Sequence, residues 1–213
     1  MPRPRELLRF TRSERWVHRT TAALMGICLA TAAILYIGPL SVAIGYRAVV
    51  EWVHVIAGLG LPVPFIVGLL SKAFRSDVRR LNRFSPSDWK WLSTRDRRDG
   101  RIPVGKFNAG QKLNANFQLG AILAMMLTGS IMRFANHWPI AWRTGATFAH
   151  DWIAYAILAV VAGHMYMALR DPEALRGMRT GYVPEWWAKK EHPAWTPKQT
   201  PPVAPAKQAD RAR

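Results

Sequence analysis

The segment HDWIAYAILAVVAGHMYMAL, residues 150–169, decides how this chain folds. Residues 152–169 carry no charge, and a helix needs about 20 apolar residues to cross a bilayer core. Three further uncharged stretches, 20–46, 52–71 and 113–132, are of similar or greater length. The sequence therefore predicts an all-α membrane protein, a bundle of four transmembrane helices, and it disfavours a soluble globular domain.

The predicted organisation has three parts. They are an N-terminal arm at 1–16, a membrane domain at 17–171 and a C-terminal tail at 172–213. The four spans are placed at about 17–38, 50–71, 113–135 and 148–170. The connection between the second and third spans then covers 72–112. The tail is rich in Pro, Ala, Lys and Gln, and such a composition predicts disorder after about residue 195.

Smaller features refine this organisation. Pro62 and Pro64 are expected to interrupt the second span, which membrane helices tolerate when neighbours satisfy the freed carbonyls. A short helix is expected at 86–92 in the connection. Ala30-Thr31-Ala32 resembles a signal-peptide cleavage site, but the uncharged run continues to Tyr46, beyond the roughly 7–15 residues of an h-region. We therefore expect the first span to be retained.

The distribution of positive charge predicts the orientation in the membrane. Of the 30 lysines and arginines, six lie in the N-terminal segment through Arg19, twelve in the connection from Lys72 to Lys112 and nine from Arg170 onward. Only Arg47, Arg133 and Arg143 remain for the other side. Because positive charge stays in the cytoplasm, both termini and the 72–112 connection are predicted to be cytoplasmic. The net charge of +17 thus flanks membrane spans and does not indicate nucleic-acid binding.

Four of the six histidines, His18, His54, His150 and His164, lie in or at the ends of spans that hold almost no other ionisable group. His150 and His164 share one helical face, about 21 Å apart along the axis at 1.5 Å per residue. Depth then pairs His54 with His150 near the outer surface and His18 with His164 near the inner surface. Two such pairs favour two haem b groups with imidazole on both faces of each iron.

Two different roles for the span histidines stay open at this point. A proton relay or merely structural hydrogen bonds would also use histidines in a membrane. A zinc site is disfavoured because it needs three or four ligands at one depth. Cys28 is the only cysteine, so a disulfide within the chain and covalent haem attachment through C-x-x-C-H are excluded. Arginines at the two rims are candidate partners for haem propionates: Arg15, Arg19 and Arg170 inside, and Arg47, Arg133 and Arg143 outside. Most of them are individually expected to be interfacial anchors instead.

The segment GKFNAGQK, residues 105–112, precedes the third span. Its glycines have the spacing of a P-loop, but Gln111-Lys112-Leu113 stands in place of Gly-Lys-Ser/Thr, so nucleotide binding is discarded. Asn108, Gln111 and backbone amides near the glycines could donate hydrogen bonds to a quinone carbonyl. Spacing alone favours a helix cap with lysines that extend to the membrane surface.

Together these residues resemble a known family, the gamma subunit of respiratory formate dehydrogenase, a four-helix di-haem cytochrome b. The most specific parts are GKFNAGQK at 105–112, HMYMA at 164–168 and WAKKEHPAW at 187–195. The resemblance implies inner-haem ligands at His18 and His164 and outer-haem ligands at His54 and His150. It also implies a quinone site at Asn108, Gly110, Gln111 and His164, with menaquinone or ubiquinone as substrate.

The resemblance further implies a location in the bacterial plasma (inner) membrane and partners on its outer side. These are an iron–sulfur beta subunit and a molybdenum- or tungsten-containing alpha subunit that oxidises formate. Two features depart from the family pattern: Phe107 stands where tyrosine is expected, and the tail is unusually rich in Pro and Ala. The alternatives are a di-haem b subunit of a nickel–iron hydrogenase or another quinone-linked oxidoreductase, and a haem-free membrane anchor.

Overall fold

The computed structural model describes residues 5–95 and 97–195. The helices and strands, in chain order, are β1 (Glu6–Leu8), α1 (Arg12–Tyr36), α2 (Gly38–Ile44), α3 (Arg47–Gly60), α4 (Pro62–Gly68), α5 (Lys72–Leu81), α6 (Pro86–Ser93), α7 (Ala109–Arg133), a 3₁₀ turn (Ala135–His137), α8 (Ile140–Leu169), α9 (Pro172–Thr180), β2 (Tyr182–Pro184) and α10 (Glu185–Glu191). Four segments of this part of the chain are long and apolar enough to cross a membrane: α1, α3 with α4, α7 and α8. The predicted all-α membrane bundle is confirmed. The predicted disorder after about 195 lies outside the described residues.

The long helices begin in polar sequence, outside the predicted spans. Thr11 and Glu14 form a capping box at the start of α1, and Asn108 and Gln111 form another at the start of α7. Such boxes satisfy backbone N–H groups that have no partner within the helix. At 3.6 residues per turn, α1 therefore starts about two turns, and α7 about one turn, before its uncharged run.

Pro62 and Pro64 divide the second span as predicted. α3 ends at Gly60 and α4 begins at Pro62, and the N–H of Leu61 between them bonds to the carbonyl of Gly58. Proline lacks the N–H that would continue the helix, so the hydrogen-bond ladder shortens there. The short helix expected at 86–92 is also present, as α6.

The four spans pack as two hairpins. α1 lies against α3 and α4, and α7 lies against α8, whereas contacts between the hairpins are sparse. One apolar cluster fills the middle of the bundle, around Met25, Leu61, Ile122 and Ile157. Ile157 of this cluster lies midway along α8 between His150 and His164.

A small module outside the membrane spans consists of β1, β2 and α10. β1 pairs antiparallel with β2, so that Leu7 lies opposite Val183. Val183 and Trp187 form a buried cluster with Leu7 and Trp195. The module joins the start of the described chain to its end, a pairing that was not predicted from the sequence.

Candidate functional site

The four span histidines lie in two pairs, each joining one hairpin to the other. The ring centroids of His54 (α3) and His150 (α8) are 6.3 Å apart, with an angle of 64° between the ring planes. Those of His18 (α1) and His164 (α8) are 6.1 Å apart, with an angle of 53°. The structure thus brings together the same partners that depth predicts.

These separations suit one iron ion between each pair. A metal held by two imidazoles needs ring centres roughly 6 Å apart, because each metal–nitrogen bond is about 2 Å long and the ring adds about 1 Å on each side. Direct ring stacking or a hydrogen bond between the rings would bring them closer. Within residues 5–95 and 97–195, no three side chains of His, Cys, Asp or Glu converge as a metal site.

Each outer histidine makes a hydrogen bond with a buried threonine. Thr31 Oγ1 lies 2.9 Å from His54 Nδ1, and Thr128 Oγ1 lies 2.9 Å from His150 Nδ1. The added Cβ of an alanine at Gly129 would lie 3.3 Å from His150 Cε1. The outer rings are therefore held both by hydrogen bonds and by close packing.

The loop at 105–112 is held as a helix start, as its spacing alone predicted. Asn108 Oδ1 accepts from the N–H of Gln111 at 2.9 Å, and Gln111 Oε1 accepts from the N–H of Asn108 at 3.1 Å. Gly110 lies against the Trp91 ring, which an added Cβ would approach to 3.2 Å. The side-chain oxygens of Asn108 and Gln111 thus accept the hydrogen bonds of the cap. The side-chain NH₂ groups of these two residues donate to no described residue.

Lys106 does not extend to the membrane surface, contrary to the expectation for the loop lysines. It is buried and its Nζ donates to Glu14 Oε1 at 2.8 Å and to Asp77. Burial, together with the nearby Glu14, raises the pKa of Asp77 to about 7, despite the opposing charge of Lys106. Arg80 joins the group through Asp77 at 2.8 Å. Lys112, the other lysine of the loop, pairs with Asp88 at 2.7 Å.

His192 is buried beside the same loop. Its Nδ1 donates to the Gly105 carbonyl at 2.6 Å, and its Nε2 accepts from Arg9 Nη2 at 2.9 Å. Burial and the Arg9 charge lower the pKa of His192 to about 3. A neutral His192 therefore fastens both ends of the described chain to the segment before Asn108.

The inner-rim arginines have partners in the protein. Arg15 and Arg19 donate to the carbonyl of Arg179 at 2.8 and 2.7 Å, near the carboxyl end of α9, where cations are favourable. Arg170 donates to the Tyr166 hydroxyl at 2.6 Å. These three arginines therefore have acceptors within the protein, and their role as propionate partners or as interfacial anchors stays a prediction.

The outer-rim arginines also contact the protein. Arg47 donates to the Leu35 carbonyl at 3.0 Å, and the Arg133 guanidinium lies 4.6 Å from the Trp52 ring centroid. Arg143 is exposed. Interfacial anchoring by these three arginines stays a prediction.

Two polar side chains of α7 were not identified from the sequence. The amide oxygens of Asn114 and Gln118 are buried and accept no hydrogen bond from the described residues. The two residues are one turn apart on a single helical face, and one turn further on that face lies the buried Ile122 of the central cluster. Their signal was two amide side chains spaced i, i+4 in an uncharged run that also holds Asn116. Buried amide oxygens without a partner are unusual in folded proteins.

Comparison with known proteins agrees with this arrangement. The chain is 34% identical over 95 residues to the cytochrome b556(Fdn) subunit of the nitrate-inducible formate dehydrogenase of Escherichia coli K12. The aligned region covers 43% of this chain and 44% of that subunit. It is 33% identical over 94 residues to the formate dehydrogenase cytochrome b556 subunit of Haemophilus influenzae, covering 43% and 40%. Each alignment thus spans less than half of the relative's length.

A family model described as prokaryotic cytochrome b561 matches residues 9–181. This range includes all four spans, both histidine pairs and the 105–112 loop. The chain therefore belongs to the prokaryotic cytochrome b561 family, which implies that it is a membrane protein that carries haem b.

Proposed function

We propose that this chain is the di-haem cytochrome b subunit of a respiratory formate dehydrogenase in a bacterial plasma membrane. The observation that carries the proposal is the presence of two histidine pairs, 6.1 and 6.3 Å apart between ring centroids, at two depths of one four-helix bundle. His18 and His164 would hold an inner haem b, and His54 and His150 an outer one. Bound there, the haems supply one-electron carriers at both sides of the membrane.

The bundle keeps the two sites apart and dry. Met25, Leu61, Ile122 and Ile157 fill the layer between the pairs. His150 and His164 are separated by about 21 Å along α8, at 1.5 Å per residue. An apolar layer of this kind excludes water and fixes both ligands on rigid helices. The chain thus positions the two proposed carriers at fixed places on rigid helices.

The proposed direction of electron flow combines an orientation taken from the charge distribution with an electron donor on the outer side, which the family resemblance implies. We place the 72–112 segment and both termini in the cytoplasm because they carry nearly all the basic residues. Electrons would then enter at the outer pair from an iron–sulfur subunit, itself supplied by a molybdenum- or tungsten-containing formate-oxidising subunit. Formate is proposed because the relatives are formate dehydrogenase subunits by name.

A quinone is the proposed acceptor at the inner pair. Menaquinone or ubiquinone takes up two electrons and two protons to become quinol, with the protons drawn from the cytoplasm. Asn108, Gly110, Gln111 and His164 are the proposed binding residues. The cap leaves the NH₂ groups of Asn108 and Gln111 without a described acceptor, so they are able to donate to a quinone carbonyl.

The function is tested on the native complex, purified in mild detergent through a tag on this chain. We expect two large redox subunits to co-purify, formate to reduce the haem b bands, and added quinone to reoxidise them. If hydrogen gas reduces the haem b bands and formate does not, the chain would be assigned to a hydrogenase. A folded chain without haem, despite ample haem supply, would leave only the membrane-anchor alternative.

The quinone site has its own test, the variant Asn108→Ser. Serine is as good an N-cap as asparagine, so the start of α7 is kept while the amide NH₂ is removed. We expect both haems to remain and formate to reduce them normally, with quinone reduction slowed about tenfold, the scale of one lost hydrogen bond of about 1.4 kcal/mol. Unchanged quinone kinetics would leave Asn108 with its capping role alone.

A further inference from the structure

The two outer histidines are held in the same way. Thr31 on α1 contacts His54 on α3, and Thr128 on α7 contacts His150 on α8, each at 2.9 Å from Oγ1 to Nδ1. In each hairpin the threonine therefore belongs to one helix and the histidine to the other. Both threonines are only 8% exposed, so water does not compete for these hydrogen bonds.

The direction of each hydrogen bond follows from the second contact of the threonine. Thr31 Oγ1 lies 2.7 Å from the Ile27 carbonyl, and Thr128 Oγ1 lies 2.8 Å from the Ala124 carbonyl. A carbonyl oxygen only accepts, so each hydroxyl gives its single proton to its own helix. The hydroxyl oxygen must then accept from the histidine, which places the imidazole proton on Nδ1.

This proton placement determines which nitrogen remains available. With Nδ1 protonated and bonded to threonine, the lone pair of each outer imidazole is on Nε2. Both rings therefore keep the same atom, Nε2, available to a metal. A ring that is already oriented loses little freedom when it binds a metal.

The inner pair differs in this respect. Among the hydrogen bonds of residues 5–95 and 97–195, none involves a ring nitrogen of His18 or His164. The two sites thus share ligand type and ring separation but differ in the support behind the ligands. Hydrogen bonding behind an imidazole raises its basicity as a ligand and is one of the levers that set haem potential.

We infer that Thr31 and Thr128 are a matched pair of positioning residues that orient His54 and His150 through Nδ1 and lower the midpoint potential of the outer haem relative to the inner one. The inference rests on the proposed function for the presence of two haems. A more basic imidazole donates more charge and favours ferric over ferrous iron. The resulting difference makes electron passage from the outer to the inner site downhill, which is the direction proposed above for a donor on the outer side.

The test is a redox titration of the intact complex carrying Thr31→Val or Thr128→Val. Valine keeps the branched shape but removes the acceptor oxygen. We expect the ferric-to-ferrous equilibrium of the outer haem to shift toward ferrous by about tenfold, which is about 59 mV for one electron, while the inner haem keeps its potential. The outer haem is identified as the component that His54→Ala removes.

Two further variants separate the hydrogen bond from general packing. Thr31→Ser and Thr128→Ser retain the hydroxyl and should restore the wild-type potential. Thr144→Val is the matched control, because the Thr144 hydroxyl is exposed and donates only to its own helix, at the Ile140 carbonyl, 3.0 Å away. It should leave both haems unchanged.

The outcomes are distinct. Selective loss of the outer haem in a valine variant, with the inner haem kept, also supports a positioning role, since the inner haem reports an intact fold. Two haems with unmoved potentials in both valine variants, or serine variants that behave like valine, would overturn the inference and leave the proposed function standing. A wild-type complex without two haems would instead overturn the proposed function.

Discussion

Gly129 sets how closely α7 approaches the His150 ring. A methyl group there would lie 3.3 Å from His150 Cε1, whereas one at Gly120 on the same helix meets nothing within 4 Å. Gly129→Ala should therefore push the ring aside by a few tenths of an ångström and lower the occupancy of the outer haem or shift its absorption band. Gly120→Ala should leave both haem bands unchanged. Difference spectroscopy of the haem bands of the purified variants measures this effect. Equal spectra for the two variants would contradict the placement of His150.

His192 makes the stability of the chain depend on pH. Its pKa is about 3 in the folded protein against 6.5 ordinarily, so below pH 6.5 the unfolded chain takes up a proton that the folded chain does not. Stability should therefore be complete above pH 6.5 and should fall as the pH drops from there toward about 3. Thermal unfolding in detergent, followed by circular dichroism, measures this loss.

The variant His192→Gln isolates that effect. A glutamine amide donates to the Gly105 carbonyl and accepts from Arg9 as the imidazole does, but it does not titrate. We expect a weaker dependence of the unfolding temperature on pH in this window. His137→Gln, which replaces an exposed histidine, should keep the wild-type dependence, and a full dependence in His192→Gln would assign it to another group.

At the residue scale, the sequence could predict those contacts that depend only on a residue's depth in the membrane. Four histidines in or at the ends of the spans could be sorted into pairs because a helix rises by a constant amount per residue. The threonines behind His54 and His150 could not be predicted, because each lies on another helix and its contact depends on helix rotation. Lys106 could not be placed either, since its carboxylate partners come from α1 and α5.

At the scale of elements, Gly181 closes the join between α9 and the β1–β2 pair. Its φ is +96°, and an added Cβ would lie 2.6 Å from the Phe10 carbonyl oxygen. Gly181→Ala should lower the free energy of unfolding by at least the roughly 1–3 kcal/mol typical of such strain. Gly45→Ala is the control, because Gly45 also has a positive φ, +65°, but open space around it. Chemical denaturation in detergent should show the larger loss for Gly181→Ala; the same loss in both would mean that the contact with Phe10 costs nothing.

Elements were predictable when a local signal defined them. The Pro62 and Pro64 break and the helix at Pro86 followed from proline chemistry. The starts of α1 and α7 lay outside the predicted spans because capping boxes, not hydropathy, set them. β1 and β2 were missed, since each strand has three residues and its partner lies at the other end of the described chain.

At the scale of the whole molecule, the orientation in the membrane is a prediction of the charge distribution. Single cysteines introduced at the exposed residues Asn136 and Ser93, in a Cys28→Ala background, test it in intact cells. A membrane-impermeant thiol reagent should label Asn136→Cys from outside and should label Ser93→Cys only after the cells are opened. The reverse pattern would invert the proposed direction of electron flow.

The haem stoichiometry of the purified chain is the decisive measurement. A pyridine haemochrome assay with accurate protein quantification should give two protohaems per chain for the wild type. The variants His150→Ala and His18→Ala should each give one, because the first leaves the inner pair complete and the second leaves the outer pair complete. One haem or none in a folded, haem-supplied wild type, or two haems retained in either variant, would contradict the claim that these four histidines form two haem sites.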